Sequence, residues 1–262
     1  MKKFLKLICL AGLSVFAQGL SAADSTTNCS SNSCMAPCHM MEALHNMSFG
    51  AGTKYQHSGD FSGWGGYLRA DYRFHKLDGM ICPKSGHYFG VEVNYLHSKG
   101  HKLSDPENPL IVTAPLPGGV GRVDTRIDGH LKAWPVLFTY TMKGSFGDFM
   151  HCESDWAKRW FWAVSAGIGP NFVHTKSTIN ETVTVLTTNT AYPRPTIYNK
   201  KHYTDFAGKV EGRLMFALTD CIALEASVAG LFSKKHEFGA AKLPLKSSAA
   251  SILVGLGLTC DL

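Results

Sequence analysis

From Asp205 to Phe216 the chain alternates with a strict period of two. One set of positions reads Asp205, Ala207, Lys209, Glu211, Arg213, Met215, and the other reads Phe206, Gly208, Val210, Gly212, Leu214, Phe216. A period of two belongs to a β-strand, whose successive side chains point to opposite faces. Four other segments follow the same rule. Residues 222–234 set Leu224, Ala226, Val228, Gly230 and Phe232 against Ala223, Glu225, Ser227 and Ala229, and 249–262 set Ile252, Val254, Leu256 and Leu258 against Ser251, Gly255, Gly257 and Thr259. Residues 159–175 and 87–97 behave likewise, the latter with Phe89, Val91, Val93 and Tyr95 on one face and Gly90, Glu92 and Asn94 on the other.

The first of these runs extends over 202–218, and adding 47–57, 62–74 and 124–142 gives eight alternating segments with turn-like material between them. Dyad alternation in runs near ten residues is the signature of a transmembrane barrel. The fold expected is therefore all-β: an antiparallel, up-and-down, transmembrane β-barrel of eight strands. Ten is the alternative, because Ile179, Val183 and Val185 continue the alternation beyond 175. With a periplasmic N-terminus, the outer connections are 58–61, 98–123, 176–201 and 235–248, and the inner ones are 75–86, 143–158 and 219–221. The two longest connections then lie outside, as in such barrels. Aromatic residues near strand ends, among them Tyr55, Tyr72, Phe74, Tyr95, Tyr140, Trp160, Phe172, Tyr203 and Phe232, are candidates for interfacial girdles.

The start of the chain supplies the compartment. Lys2, Lys3 and Lys6 precede an apolar run from Leu7 to Ala17, and Ser21-Ala22-Ala23 offers small residues before Asp24. That is the plan of a secretory signal peptide over 1–23. Residues 24–46 then form a cysteine-containing periplasmic segment, and 47–262 form the barrel. The place expected is the bacterial outer membrane, with its lipid as a partner. Removing the first 23 residues takes the net charge from +6 to +3. With no basic cluster or recognition motif, nucleic acid is excluded as a partner.

The alternate faces carry seven cations, Lys54, Arg69, Arg73, Arg126, Lys132, Lys209 and Arg213, against six carboxylates, Asp71, Glu92, Asp128, Asp205, Glu211 and Glu225. A Lys or Arg facing lipid at midplane costs about 2–4 kcal/mol, so these residues are expected to line the lumen. Near-balance of sign predicts mutual pairing. An eight-stranded barrel is only just wide enough to be filled by side chains, so a plugged lumen is preferred over a narrow pore. Pro135 follows Arg126, Asp128, His130 and Lys132, and is expected to mark a bulge that flips the face and turns Val136, Phe138 and Tyr140 toward lipid.

The mature chain holds Cys29, Cys34, Cys38, Cys82, Cys152, Cys221 and Cys260, all on the periplasmic side of this topology. In an oxidising compartment disulfides are the default, with pairings that spacing does not determine. The odd number leaves one thiol free or bonded to another chain, which suggests disulfide-linked envelope proteins as partners. The Cys29, Cys34, Cys38 and His39 spacing matches no strong zinc pattern, so neither metal nor cofactor is expected. A lipid hydrolase would draw on Ser165, Ser227, Ser251, His130, His174, His202 and Glu225, but no G-x-S-x-G elbow or comparable motif is present. The chain is read as a non-enzyme.

The signal peptide, the glycine-rich alternating segments and the count of eight resemble the small OmpA/OmpX-like and porin-like outer-membrane barrels from about Met47 to Leu262. The cysteines loosely resemble those of disulfide-linked major outer membrane proteins. The resemblance implies a structural or surface-interaction role, with outer loops that meet a host or environmental ligand. Its alternative is a small porin for ions or small solutes. The chain departs from these families in ending on Leu262, where their last strand usually ends in an aromatic residue.

Overall fold

The computed structural model describes residues 46–76, 84–104, 110–113, 120–147, 155–186, 188–240 and 243–261. The expected signal peptide, residues 24–45 of the expected 24–46 segment, Cys82 and Cys152 lie outside them. The strands are β1 (Met47–Ser58), β2 (Phe61–Lys76), β3 (Gly86–Leu103), β4 (Leu110–Thr113), β5 (Val120–Ser145), β6 (Trp160–Val185), β7 (Thr190–Pro193), β8 (Ile197–Ala217), β9 (Ile222–Ser233), β10 (Glu237–Ala240), β11 (Leu243–Lys246) and β12 (Ala250–Asp261). A single helical turn, Asp155–Lys158, precedes β6.

Eight of these strands close into a ring. Each of β1, β2, β3, β5, β6, β8, β9 and β12 pairs antiparallel with its neighbours in chain order, and β12 returns to β1 through Ser48 opposite Asp261. Closure removes both sheet edges, which is what allows strands to cross a bilayer without orphaned backbone groups. The extra alternation after residue 175 belongs to a lengthened β6 and not to another pair in the ring. Above the ring the short strand β4 pairs with β5 and β7 pairs with β6, and β10 pairs with β11 as a separate hairpin. Gly59 makes the first tight turn possible: with Ser58 opposite Phe61, it must adopt a φ of 61°.

The strands differ in length. β1, β9 and β12 have 12 residues each, whereas β5 and β6 have 26. A tilted transmembrane strand needs about 9–11 residues, so β5 and β6 continue well past the bilayer on one side. Both chain ends of the ring, Met47 and Asp261, sit on the opposite side. The prolonged side is the outer one and the side of the termini the periplasmic one.

Pro135 does not behave as expected. β3 and β5 pair Val93 with Val136 and Leu96 with Ala133 in one continuous register, and Pro135 itself sits opposite Asn171 of β6. The proline interrupts the ladder to β3 without inserting a residue, so the face does not flip. One consequence is a correction: Arg126, Asp128 and Lys132 point outward, in phase with Trp134, Phe138 and Tyr140, while Ile127, Leu131, Ala133 and Leu137 point inward and are buried. The reasoning that sent charges inward holds only within lipid, and this part of β5 stands above it.

The inner wall is fitted by size. Gly257 of β12 faces the long side chain of Tyr67, and a Cβ there would lie 2.2 Å from the Tyr67 hydroxyl and 2.6 Å from the Ala51 carbonyl. Gly257→Val is expected to displace Tyr67 and cost about 1–3 kcal/mol, the usual price of overpacking. A urea unfolding midpoint equal to that of the wild type would show that the inner wall is loosely packed here.

Candidate functional site

Two ion-pair networks fill the middle of the lumen. In the first, Lys54 Nζ of β1 donates to Glu92 Oε1 of β3 at 2.9 Å and to Glu211 Oε1 of β8 at 2.7 Å. Lys209 of β8 bonds the same two carboxylates, reaching Glu211 Oε2 at 2.8 Å and also pairing with Glu92. The result is a four-membered ring of alternating charge spanning the barrel, with every side chain at 0% exposure.

The second network lies on the periplasmic side of the first. Arg69 grips Glu225 with two parallel bonds of 3.2 and 2.8 Å, the forked geometry that makes arginine–carboxylate pairs strong. Tyr67 and Thr259 donate to the same carboxylate at 2.8 and 2.7 Å. Asp71 Oδ2 sits 2.8 Å from Arg69 Nε. Arg213 lies within 4.0 Å of Asp71, Glu211 and Glu225, and donates to Thr141 at 3.0 Å. Four cations thus meet four carboxylates, and the layer is neutral.

Above and below, other contacts close the lumen. Toward the outside, Phe61, Leu96, Ile127, Leu131, Leu137, Val173, Leu231, Leu245 and Leu253 form one apolar cluster. Leu245 comes from the β10–β11 hairpin and is fully buried. On the periplasmic side, Lys143 pairs with Asp261 at 2.6 Å, and Phe161, Ala163, Met215 and Ala223 pack together. The space between this end and the second network holds about 10 Å³, roughly one water molecule, among Ser48, Tyr88, Thr141 and Lys143.

Of the thirteen charges expected in the lumen, Lys54, Arg69, Asp71, Glu92, Lys209, Glu211, Arg213 and Glu225 occupy this layer. Arg73 lies half-buried at the periplasmic end. Asp205 points inward near the outer mouth, where His236 Nε2 lies 3.0 Å away. Arg126, Asp128 and Lys132 are on the outer wall, where Arg126 pairs with Asp128 at 3.0 Å. Tyr67, Thr259, Lys143, Asp261 and His236 were not anticipated. Tyr67 shares the inward parity of Arg69 and Asp71, and that parity was the signal available for it. The serines and histidines considered for hydrolysis do not converge: Ser165, Ser227 and Ser251 are buried inside, whereas His130, His174 and His202 occupy outward positions.

Cys221 and Cys260 are both free thiols at the periplasmic end, where the Asp261 amide donates to the Cys221 carbonyl at 2.9 Å. Cys29, Cys34, Cys38, Cys82 and Cys152 lie outside the described residues. The described chain on either side of the gaps holding Cys82 and Cys152, at Lys76, Lys84, Gly147 and Asp155, is at this same end.

The exterior completes the picture. Between two aromatic levels the outward side chains are apolar and open, as with Phe138 at 65%, Ile168 at 64%, Val228 at 60% and Leu256 at 68% exposure. The outer level contains the Tyr55–Trp64 pair, with ring centroids 5.2 Å apart, and Tyr95–Trp134 at 4.4 Å. The inner level contains Phe74–Phe89 at 4.4 Å and Trp160–Phe216 at 5.0 Å. Tyr203, expected in a girdle, instead turns inward against the His236 ring at 4.6 Å. Such an apolar belt between aromatic rings is stable in lipid and not in water.

A closed eight-stranded barrel with its charges inside and an apolar, aromatic-edged belt outside is a membrane-spanning barrel of the bacterial outer-membrane kind. No protein-family pattern matches the chain, and no curated protein does. Among solved structures it is similar to Neisserial surface protein A, at 11% identity over 82% of this chain and 96% of that one, with a TM-score of 0.32. It is similar to Ail, the attachment invasion locus protein of Yersinia pestis, at 11% identity over 81% and 95%, with a TM-score of 0.31. It is also similar to CarO of Acinetobacter baumannii, at 11% identity over 81% and 97%, with a TM-score of 0.31.

Proposed function

We propose that this protein is a non-conducting outer-membrane barrel with a structural and surface-interaction role. The observation that carries this reading is the neutral, fully paired charge layer between two packed apolar zones. Ions passing through would have to break several buried pairs at once, and each is costly to open in a dry interior. Charge rings that select ions need open space around them, and here the carboxylates are saturated by their partners. The working surface is then the outer prolongation of β3, β5, β6 and β8, where a host or environmental ligand would meet the protein. The periplasmic thiols Cys221 and Cys260 support a second part of the role, cross-linking to other envelope proteins.

The test is to fold the mature chain into planar bilayers, confirm folding by heat-modifiable gel mobility, and record conductance. Electrical silence from folded protein is the expected result. Steady, reproducible steps would replace the sealed barrel with a small porin. Non-reducing gels of whole envelopes should show higher-mass species that collapse on reduction, and monomer alone would remove the cross-linking role.

A further inference from the structure

The outward side chains just beyond the outer aromatic level are unlike those elsewhere on the wall. Register places His97 of β3, Lys132 of β5, His174 of β6 and His202 of β8 directly opposite one another across the four strands. The next outward row is Lys99, His130, Lys176 and Lys200. The His97 and His130 rings meet across the two rows at 5.9 Å, and within the first row the His174 and His202 rings are 4.2 Å apart. Beneath them lie Tyr95, Trp134 and Phe172, in phase on the same strands.

Eight basic side chains thus stand together with no carboxylate among them. The nearest carboxylate on these strands is Asp128, one step further out, and it is engaged by Arg126. Among the described residues, none of Lys99, Lys132, Lys176 and Lys200 has an ion-pair partner. Continued through the register onto β2, β1 and β12, the Lys99 row passes through Ser62, His57 and Ile252, so the feature is a patch and not a ring. Burial, with Lys132, His130 and Lys99 nearby, holds His97 below the usual histidine range. Burial with Lys99, Lys132 and Lys176 does the same for His130, against a smaller opposing effect of Asp128. Burial with His202, Lys200, Lys176 and Lys132 does so for His174. His97, His130 and His174 are thereby biased toward the neutral imidazole, a hydrogen-bonding group; Nε2 of both His97 and His174 is buried without a partner.

A one-signed cluster left uncompensated works against its own fold. Its position supplies the compensation: aromatic side chains mark the headgroup level, and the layer immediately beyond them holds lipid phosphates. Lysine stems lie along the apolar wall while their ammonium groups reach that layer. We infer that the patch formed by Lys99, Lys132, Lys176 and the histidines between them is a binding site for the phosphate groups of an outer-leaflet lipid. The inference rests on the membrane-spanning reading of the barrel and extends it by naming the lipid chemistry one wall selects.

The mature chain, refolded in neutral detergent and checked by heat-modifiable mobility, is titrated with a bisphosphorylated diglucosamine lipid (lipid A) and with its dephosphorylated counterpart. The phosphorylated lipid should bind far more tightly. The K99Q/K132Q/K176Q variant should lose about a hundredfold in affinity, at roughly a factor of five per lysine near an anionic surface. The control K234Q/K235Q, on the loop after β9, should leave affinity unchanged. Equal binding of the two lipids by the wild type would overturn the site without reference to any variant. So would an unaltered affinity in the triple variant, and displacement of the lipid by an equal concentration of inorganic phosphate would make it a free-anion site instead. A wild-type chain that shows no heat-modifiable form would overturn the membrane reading itself, a failure distinct from the others.

Discussion

Glu92→Ala should lower the stability of the barrel by about 3–5 kcal/mol, the cost of leaving a buried charge without its partner. Glu92 bonds both Lys54 and Lys209, and all three are fully buried. Removing it leaves two ammonium groups sharing Glu211 in a space that holds no room for bulk water. The double replacement Lys209→Met with Glu92→Leu removes one charge of each sign, leaves the Lys54–Glu211 pair at 2.7 Å, and should cost much less than the single change. Urea unfolding in lipid vesicles, followed by heat-modifiable mobility, measures both. The comparison bears directly on function. A lumen filled with water would screen the stranded lysines and make the single change nearly neutral, within about 1 kcal/mol as for exposed pairs. A loss several times larger in the single than in the double variant is the signature of a dry, sealed interior.

The strands were legible because each carries its own alternation, and a period of two needs no knowledge of its neighbours. The span of β9, Ile222–Ser233, against the expected 222–234 shows how closely alternation alone places a strand. The eight lumen charges were legible for the same reason, combined with the cost of a charge in lipid. What alternation does not show is height. Arg126, Asp128 and Lys132 alternate as cleanly as Lys209, Glu211 and Arg213, and only the pairing of β5 with β6 as far as Val185 reveals that they stand above the bilayer, where an outward charge meets water. Lys143 falls just past the expected segment 124–142, although Thr139 and Thr141 carry the inward phase up to it; Asp261 lies within the expected 249–262, but its pair with Lys143 joins residues 118 positions apart, which no single segment encodes. The basic patch was beyond reach because its members come from four strands whose relative register no single segment encodes.

The same distinction between parity and height yields the second large effect. Val228 of β9 faces outward in the middle of the apolar belt at 60% exposure. Val228→Lys should cost about 2–4 kcal/mol in a lipid bilayer, since no partner or water is available to the ammonium group there. Asn180 of β6 also faces outward and is exposed, but it lies six residues beyond His174 and opposite Arg126, well past the aromatic level. Asn180→Lys should change stability by no more than about 0.5 kcal/mol, as at an ordinary solvated surface site. Both are measured by reversible unfolding from vesicles, where lipid is present, and then in detergent with short chains. A soluble barrel would invert the expectation, because an added lysine at an exposed valine would then be harmless. The pair therefore tests the boundary that organises the molecule: below the aromatic level only the inner face tolerates charge, and above it the outer face does, which is how one uninterrupted strand such as β5 can bury Thr139 and Ile127 on one side while presenting Phe138 to lipid and Arg126 to water.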